Sequence, residues 1–208
     1  AVYAYDGNDS DGSTNWDIYN LANSTGIKIA PGQAFFVASS SGGGNLTFNT
    51  SRQTITGGDD FLPGLWQTPD AHAAINLKNT DQVTSTDLYI NANGSLGLDP
   101  GYDAGTYANE SSDFSLYTKL ADGAYPDTKF AIQTIADDLS QTVVIPLGVH
   151  INAGTGYSIA LDDNTLLELV HIYLKDNATG AFTLLNDGAY IFETDVDLEG
   201  ALRFELHL

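Results

Sequence analysis

Arg203-Phe204-Glu205-Leu206-His207-Leu208 alternates polar and apolar residues without a break. Successive side chains of a β-strand point to opposite faces, so Phe204, Leu206 and Leu208 share a buried face and Arg203, Glu205 and His207 the opposite one. The same period of two places Leu46 and Phe48 against Asn45, Thr47 and Asn49. The run from Thr165 to Leu174, TLLELVHIYL, is apolar on both faces, so it predicts a central strand with His171 as a core residue. Val143 to Ile151 reads similarly, and Pro146 there implies a sheet edge or a bulge. Asp87-Leu-Tyr-Ile90 and Asp113-Phe-Ser-Leu-Tyr-Thr118 also read as strands. Turn residues punctuate these runs at Pro31-Gly32, Ser41 to Gly44, Gly57-Gly58, Asp122-Gly123, Asn177 to Gly180 and Asn186-Asp-Gly188. Asp162-Asp163-Asn164 reads as a hairpin turn. Short strands at this spacing predict an all-β fold: an antiparallel β-sandwich, jelly-roll or Ig-like, with little helix.

Composition narrows the partners. The 208 residues carry 27 acidic against 7 basic side chains, a net charge of −20. Nucleic acid and anionic membranes need clustered Lys and Arg, so neither is an expected partner. The same balance permits calcium, which prefers carboxylate and carbonyl oxygens. There is no Cys, which excludes disulfides, thiol catalysis and Cys-zinc sites. No run reaches the roughly 20 apolar residues of a membrane helix. Without an initiator Met, Ala1 is read as a processed or truncated start.

Two prolines interrupt the strand pattern between Asp59 and Asp70. A boundary there divides the chain into an N-terminal β segment, residues 1–62, and a β-sandwich domain, residues 63–208. The first holds few strands and is expected to be the tail of an upstream module.

The longest loop is Asn91 to Tyr107, NANGSLGLDPGYDAGTY, between two predicted strands. Loops of this length inside a domain are commonly functional or fixed by an ion. Asp99 and Asp103 straddle Pro100-Gly101-Tyr102. Two carboxylates on one turn can share a calcium ion, or they can cap the turn by accepting backbone N–H groups. Both readings stand on the sequence. A second calcium candidate is Asp6, Asn8, Asp9 and Asp11, where alternate Asp and Asn residues can aim oxygens at one ion while glycine permits a tight turn; a solvated acidic loop is the competing reading. It fails the EF-hand pattern, with Gly7 in place of the first ligand and Ile18 in place of the closing Glu.

Trp16 and Trp66, with eleven tyrosines, are candidates for a sugar-binding platform, because flat rings match the C–H faces of pyranoses. Core filling is the competing use of these rings. Catalytic signals are thin. The histidines His72, His150, His171 and His207 are scattered, and Ser158 lacks the context of a nucleophile elbow. No residues are therefore named as catalytic, and the chain is read as a non-enzyme.

Ile29-Ala-Pro-Gly-Gln-Ala-Phe-Phe-Val37, Leu96-Gly-Leu-Asp-Pro-Gly-Tyr-Asp-Ala104 and Tyr190-Ile-Phe through Arg203-Phe-Glu-Leu206 occur in one chain. Between them lie Leu46-Thr-Phe48, Ala131-Ile-Gln133 and Ile145-Pro-Leu-Gly148. Together they resemble the C-terminal portion of secreted Bacteroidota proteins, just upstream of a type IX secretion sorting domain. The resemblance implies the outer cell surface or medium as location, and the type IX secretion machinery as the partner in export. It implies no chemistry, since upstream modules in that family range from adhesins to polysaccharide-degrading enzymes. The expected function is a non-enzymatic extracellular β-sandwich module, structural or adhesive, with calcium as candidate stiffener. The alternative is a carbohydrate-binding module of a polysaccharide-degrading enzyme.

Overall fold

The computed structural model describes residues 1–5, 16–30, 32–39, 42–54, 64–66, 71–107, 113–164 and 170–208. The described residues are all-β. They contain no α-helix, and a short 3-10 turn stands at Thr50–Arg52.

The N-terminal part makes two small sheets. Strand β1 (Val2–Tyr5) lies between β2 (Trp16–Tyr19) and β4 (Phe36–Val37), antiparallel to both. Strand β3 (Ser24–Ile27) pairs with β5 (Gly64–Trp66). The predicted strand at Leu46 and Phe48 does not form, and both side chains stand exposed. Alternation needs a neighbouring strand to become a ladder, and residues 43–49 pair with none of the described strands.

The large sheet begins at Ala71. Its strands are β6 (Ala71–Lys78), β7 (Val83–Ile90), β8 (Ala104–Gly105), β9 (Ser115–Thr118), β10 (Phe130–Ile135) and β11 (Val144–Ile151). They continue with β12 (Gly154–Asn164), β13 (Tyr173–Asp176), β14 (Ala181–Leu184), β15 (Tyr190–Thr194) and β16 (Leu198–His207). The hydrogen-bonded path runs β14-β13-β16-β11-β9-β10-β7-β6-β12-β15, with β8 beside β10. The strand pairs are antiparallel except β7 with β10, which run parallel. The long connection from Asn91 to Lys129 returns the chain to the start of its neighbour, as a parallel pair requires.

The sheet curls into a nearly closed, barrel-like wall around one core. Ile75 and Leu77 of β6, Leu88 of β7, Ile145 and Leu147 of β11, Ile159 of β12, and Phe204 and Leu206 of β16 all point into it. Each is 0% exposed. Phe204 and Leu206 thus sit as their alternation demands.

Three local expectations shift. Of the predicted central strand, residues 165–169 lie outside the described residues. Val170 to Ile172 are not strand, His171 is exposed, and β13 is second from the end of the path. Pro146 lies inside the sheet rather than at its edge, and the β11–β16 register shifts just beyond it, between Leu147 and Val149, as the alternative of a bulge allowed. Its carbonyl accepts Lys119 N–H at 3.0 Å, so its missing N–H faces Lys119 as well, and the one bond forgone is the reciprocal one to the Lys119 carbonyl, just past the end of β9. Asp162 to Asn164 continue strand β12 instead of turning, and a register shift between Leu161 and Asn164 absorbs the extra residue.

Close packing explains one glycine. Gly148 of β11 lies opposite Tyr117 of β9, and a Cβ there would sit 2.1 Å from the Tyr117 ring.

Candidate functional site

The loop from Asn91 to Tyr107 is built from its own side chains. Asn91 Oδ1 accepts Asn93 N–H at 2.8 Å, and Ser95 Oγ accepts Gly97 N–H at 3.2 Å. Gly94 packs so closely that a Cβ would lie 2.3 Å from the Ile135 carbonyl. Asp99 accepts Ser95 N–H at 2.6 Å on one carboxylate oxygen and the Ser95 hydroxyl at 2.9 Å on the other. Asp103 accepts Asp99 N–H and Thr134 N–H, both at 2.7 Å, on its two oxygens. All four carboxylate oxygens therefore receive a hydrogen bond, which is the capping arrangement. Asp103 is 7% exposed. Burial pushes its carboxyl up to about 6, against the lowering by the Asp99 and Thr134 N–H groups.

The other calcium candidates, Asp6, Asn8, Asp9 and Asp11, lie outside the described residues. Among the described residues, no group of three or more His, Asp or Glu side chains is placed to hold a metal ion. Trp66 ends strand β5 opposite Ser24, and its side chain lies outside what is described.

The same loop brackets the N-terminal sheet onto the large one. Leu21 N–H donates to Gly101 O at 2.7 Å, and Asn20 Nδ2 donates to Tyr102 O. Tyr3 O–H donates to Gly105 O at 3.0 Å. Burial pushes the Tyr3 phenol above its ordinary value. Ile18 and Tyr102 pack on Tyr89, Ala104 and Ile132. Tyr89 and Ile132 are outward-facing, since they alternate with Leu88 and Ile135-side residues of the inner face.

Pairing within the small sheet decides what that face carries. Tyr5 lies opposite Trp16, and Tyr3 lies opposite both Ile18 and Phe36. Directly opposed residues share a face, so Tyr3, Tyr5, Trp16, Ile18 and Phe36 stand together. Ile18 and Tyr3 are spent on docking. At the hairpin end the rings gather around Trp16. Tyr107 stacks on it with centroids 3.9 Å apart and planes at 21°. Tyr5 and Phe36 stand edge-on to it at 5.2 and 5.7 Å. Tyr5 is 58% exposed and Phe36 52%. One indole face is thus covered by Tyr107, while two further rings remain open to solvent.

The structure therefore sets one sequence candidate, Trp16, at the centre of an open aromatic cluster. It adds Tyr5, Phe36 and Tyr107, which the sequence reading did not single out. The alternation of Val2-Tyr-Ala-Tyr5 was a visible sign that both tyrosines share a face. Nothing local signals Tyr107, which lies 91 positions beyond Trp16 in the numbering.

A second ring cluster closes the barrel. Asp176 is fully buried and accepts Arg203 Nη2 at 2.9 Å, Arg203 Nε at 3.1 Å and Tyr190 O–H at 2.8 Å. Burial pushes the Asp176 carboxyl up. The Arg203 and Tyr190 hydrogen bonds outweigh that and hold it below the usual carboxylate range. The Arg203 guanidinium lies 4.9 Å from the Phe192 ring and 5.0 Å from the Phe204 ring. Between Leu147 and Val149 the β11–β16 register slips, putting Gly200 at φ +117° and Leu202 outside at 90% exposure. That bulge accompanies the turn of Arg203 into the seam between β15 and β13–β16.

Comparison with curated proteins finds no match, and comparison with solved structures finds none either. The profile of one family matches residues 1–208, the whole sequence given. The chain belongs to that family, which is described as a domain of unknown function, DUF8693.

Proposed function

We propose that the chain is a non-enzymatic glycan-binding module that works outside the cell, on a cell surface or as part of a secreted protein. The observation that carries this reading is the cluster of Tyr5, Trp16 and Phe36, with two rings more than half exposed on one sheet face. Exposed rings gathered on one face cost solvation unless a partner covers them, and pyranose C–H faces fit such rings. The extracellular setting rests on the resemblance to type IX-secreted proteins, whose export machinery would be a passing partner. In fold terms we read the curled sheet as a flattened sandwich, because β9 packs across β7 and β6 as well as beside β10.

Affinity electrophoresis through gels containing soluble polysaccharides tests the reading. Wild-type chain is expected to be retarded by at least one polysaccharide. The double variant Tyr5→Ala with Phe36→Ala is expected to bind about five- to a hundredfold more weakly, from roughly 0.5–1.5 kcal/mol for each ring. Retardation undiminished in the double variant would move the site elsewhere. No retardation by any polysaccharide favours the structural reading, in which the Trp16–Tyr107 stack serves only to fasten the N-terminal sheet.

A further inference from the structure

We infer that the outer edge of β14 is a self-association surface, where two copies of the chain pair antiparallel about a two-fold axis at Phe182. β14 ends the large sheet, and no described strand lies beyond it. The seam bonds pass it by, since they join β15 to Asp176 of β13 and to Arg203 of β16. Exposed strand edges are ordinarily blunted by charge, proline or a bulge. Ala181-Phe-Thr-Leu184 has no charged residue and no proline, and its register with β13 is unbroken. Phe182 stands 57% exposed on it.

The backbone groups on that edge are complementary to themselves. Leu185 N–H donates to Ile172 O at 2.9 Å, and antiparallel bonding alternates along a strand. Thr183 and Ala181 therefore also face β13, while Phe182 and Leu184 face outward. Gly180 N–H is held by Asp176 O at 2.7 Å, and Leu184 O holds Asp187 N–H at 3.2 Å. That leaves Phe182 N–H and C=O, Leu184 N–H and Gly180 C=O for a partner strand. With the axis at Phe182, this residue exchanges both bonds with its own copy, and Leu184 N–H meets the Gly180 carbonyl of the second copy. The one remaining opposition, Gly180 N–H to Leu184 C=O, joins two groups already bonded within each chain.

Charge favours the same place. Each copy carries −20, so two copies meet with least repulsion where a surface has no net charge. β14 is uncharged, and the pair nearest its ring, Lys175 with Glu205, is matched internally at 2.9 Å. Directly opposed residues share a face, so the two Phe182 rings stand side by side and cover each other. An isologous pair carries every other binding surface twice, so a polymeric ligand gains avidity.

Sedimentation velocity of the full chain over about a thousandfold range of concentration tests this, with amide hydrogen exchange at both ends of the range. Twice the chain mass is expected at the top of the range. The Phe182 and Leu184 amides are protected there and exchange freely when dilute. Phe182→Glu sets a carboxylate opposite Lys175 within the chain but two carboxylates face to face across the axis. Association is then at least about tenfold weaker. Leu184→Pro keeps the ring and removes one outward N–H, a loss that an edge strand tolerates, and it weakens association likewise. A wild-type chain that stays monomeric throughout overturns the proposal. So does a dimer whose Phe182 and Leu184 amides stay unprotected, or one that both variants leave intact. Should either variant fail to fold, the wild-type exchange data decide alone.

Discussion

The seam at Asp176 and the face at Trp16 are made of the same materials to opposite ends. Each gathers aromatic rings 4 to 6 Å apart, such as Phe192–Phe204 at 4.9 Å and Trp16–Tyr107 at 3.9 Å. In the seam the rings flank a guanidinium that is 16% exposed and a carboxylate that is fully buried. At the Trp16 face Tyr5 and Phe36 stay wet. Ring contacts alone therefore do not separate scaffold from site. Exposure, together with what fills the space between the rings, does. The barrel depends on its seam because the sheet path ends at β14 and β15 without a ladder to join them. Side chains must complete the closure that backbone hydrogen bonds leave open.

The largest expected effect follows from that dependence. Arg203→Met keeps most of the apolar volume and leaves Asp176 buried without its cation. Removing one partner of a buried pair costs about 3–5 kcal/mol. Chemical denaturation should show a loss of this size, and replacing Asp176 by Leu in the same chain should recover most of it. A loss under about 1 kcal/mol would mean the seam does not hold the barrel shut.

A smaller effect concerns the loop that brackets the two parts. Asp103 titrates at about 6 when folded against 3.8 as its ordinary value. A carboxyl raised in this way favours the folded state in full below pH 3.8, and that contribution is lost as pH rises through about 6. It amounts to about 3 kcal/mol across the window. Glu205 works in the other direction. Its hydrogen bonds from Lys175 and Asn177 lower it to about 2, so its contribution is present above its ordinary 4.5 and is lost as pH falls through 2. Between pH 4 and 7 the melting temperature of wild type relative to Asp103→Asn should therefore fall steadily. Parallel profiles would show that Asp103 is not a buried titrating cap. The same melts with calcium and with chelator separate a cap from an ion ligand. A calcium-dependent rise that Asp99→Asn with Asp103→Asn removes would favour the ion reading.

The all-β class was legible because burial enforces alternation. Phe204 and Leu206 must both face the core, and a strand is the conformation that allows it. The bracket was half legible: Asp99 and Asp103 stand four residues apart, but Thr134 N–H, which fixes Asp103, comes from a strand 31 residues later. The pairing of Leu46 and Phe48 was misleading, because a period of two records the wish for a sheet and not the presence of a neighbour. The Trp16 cluster was least legible. Its rings come from three strands and a distant loop, and a sequence does not state which aromatic residues remain uncovered once the core is full.

The smallest expected effect on stability belongs to the face, and there the largest effect on binding should appear. Tyr5→Ala with Phe36→Ala removes rings already more than half in water, so unfolding should change by about 1 kcal/mol or less. The most direct test sets this double variant beside Arg203→Met, measuring unfolding free energy and retardation by the polysaccharide that holds wild type most strongly. The account predicts that the face variant unfolds like wild type and binds at least about fivefold more weakly, while the seam variant loses stability and, wherever it remains folded, binds as wild type does. A face variant that keeps full binding, or that loses stability as heavily as the seam variant, would contradict it.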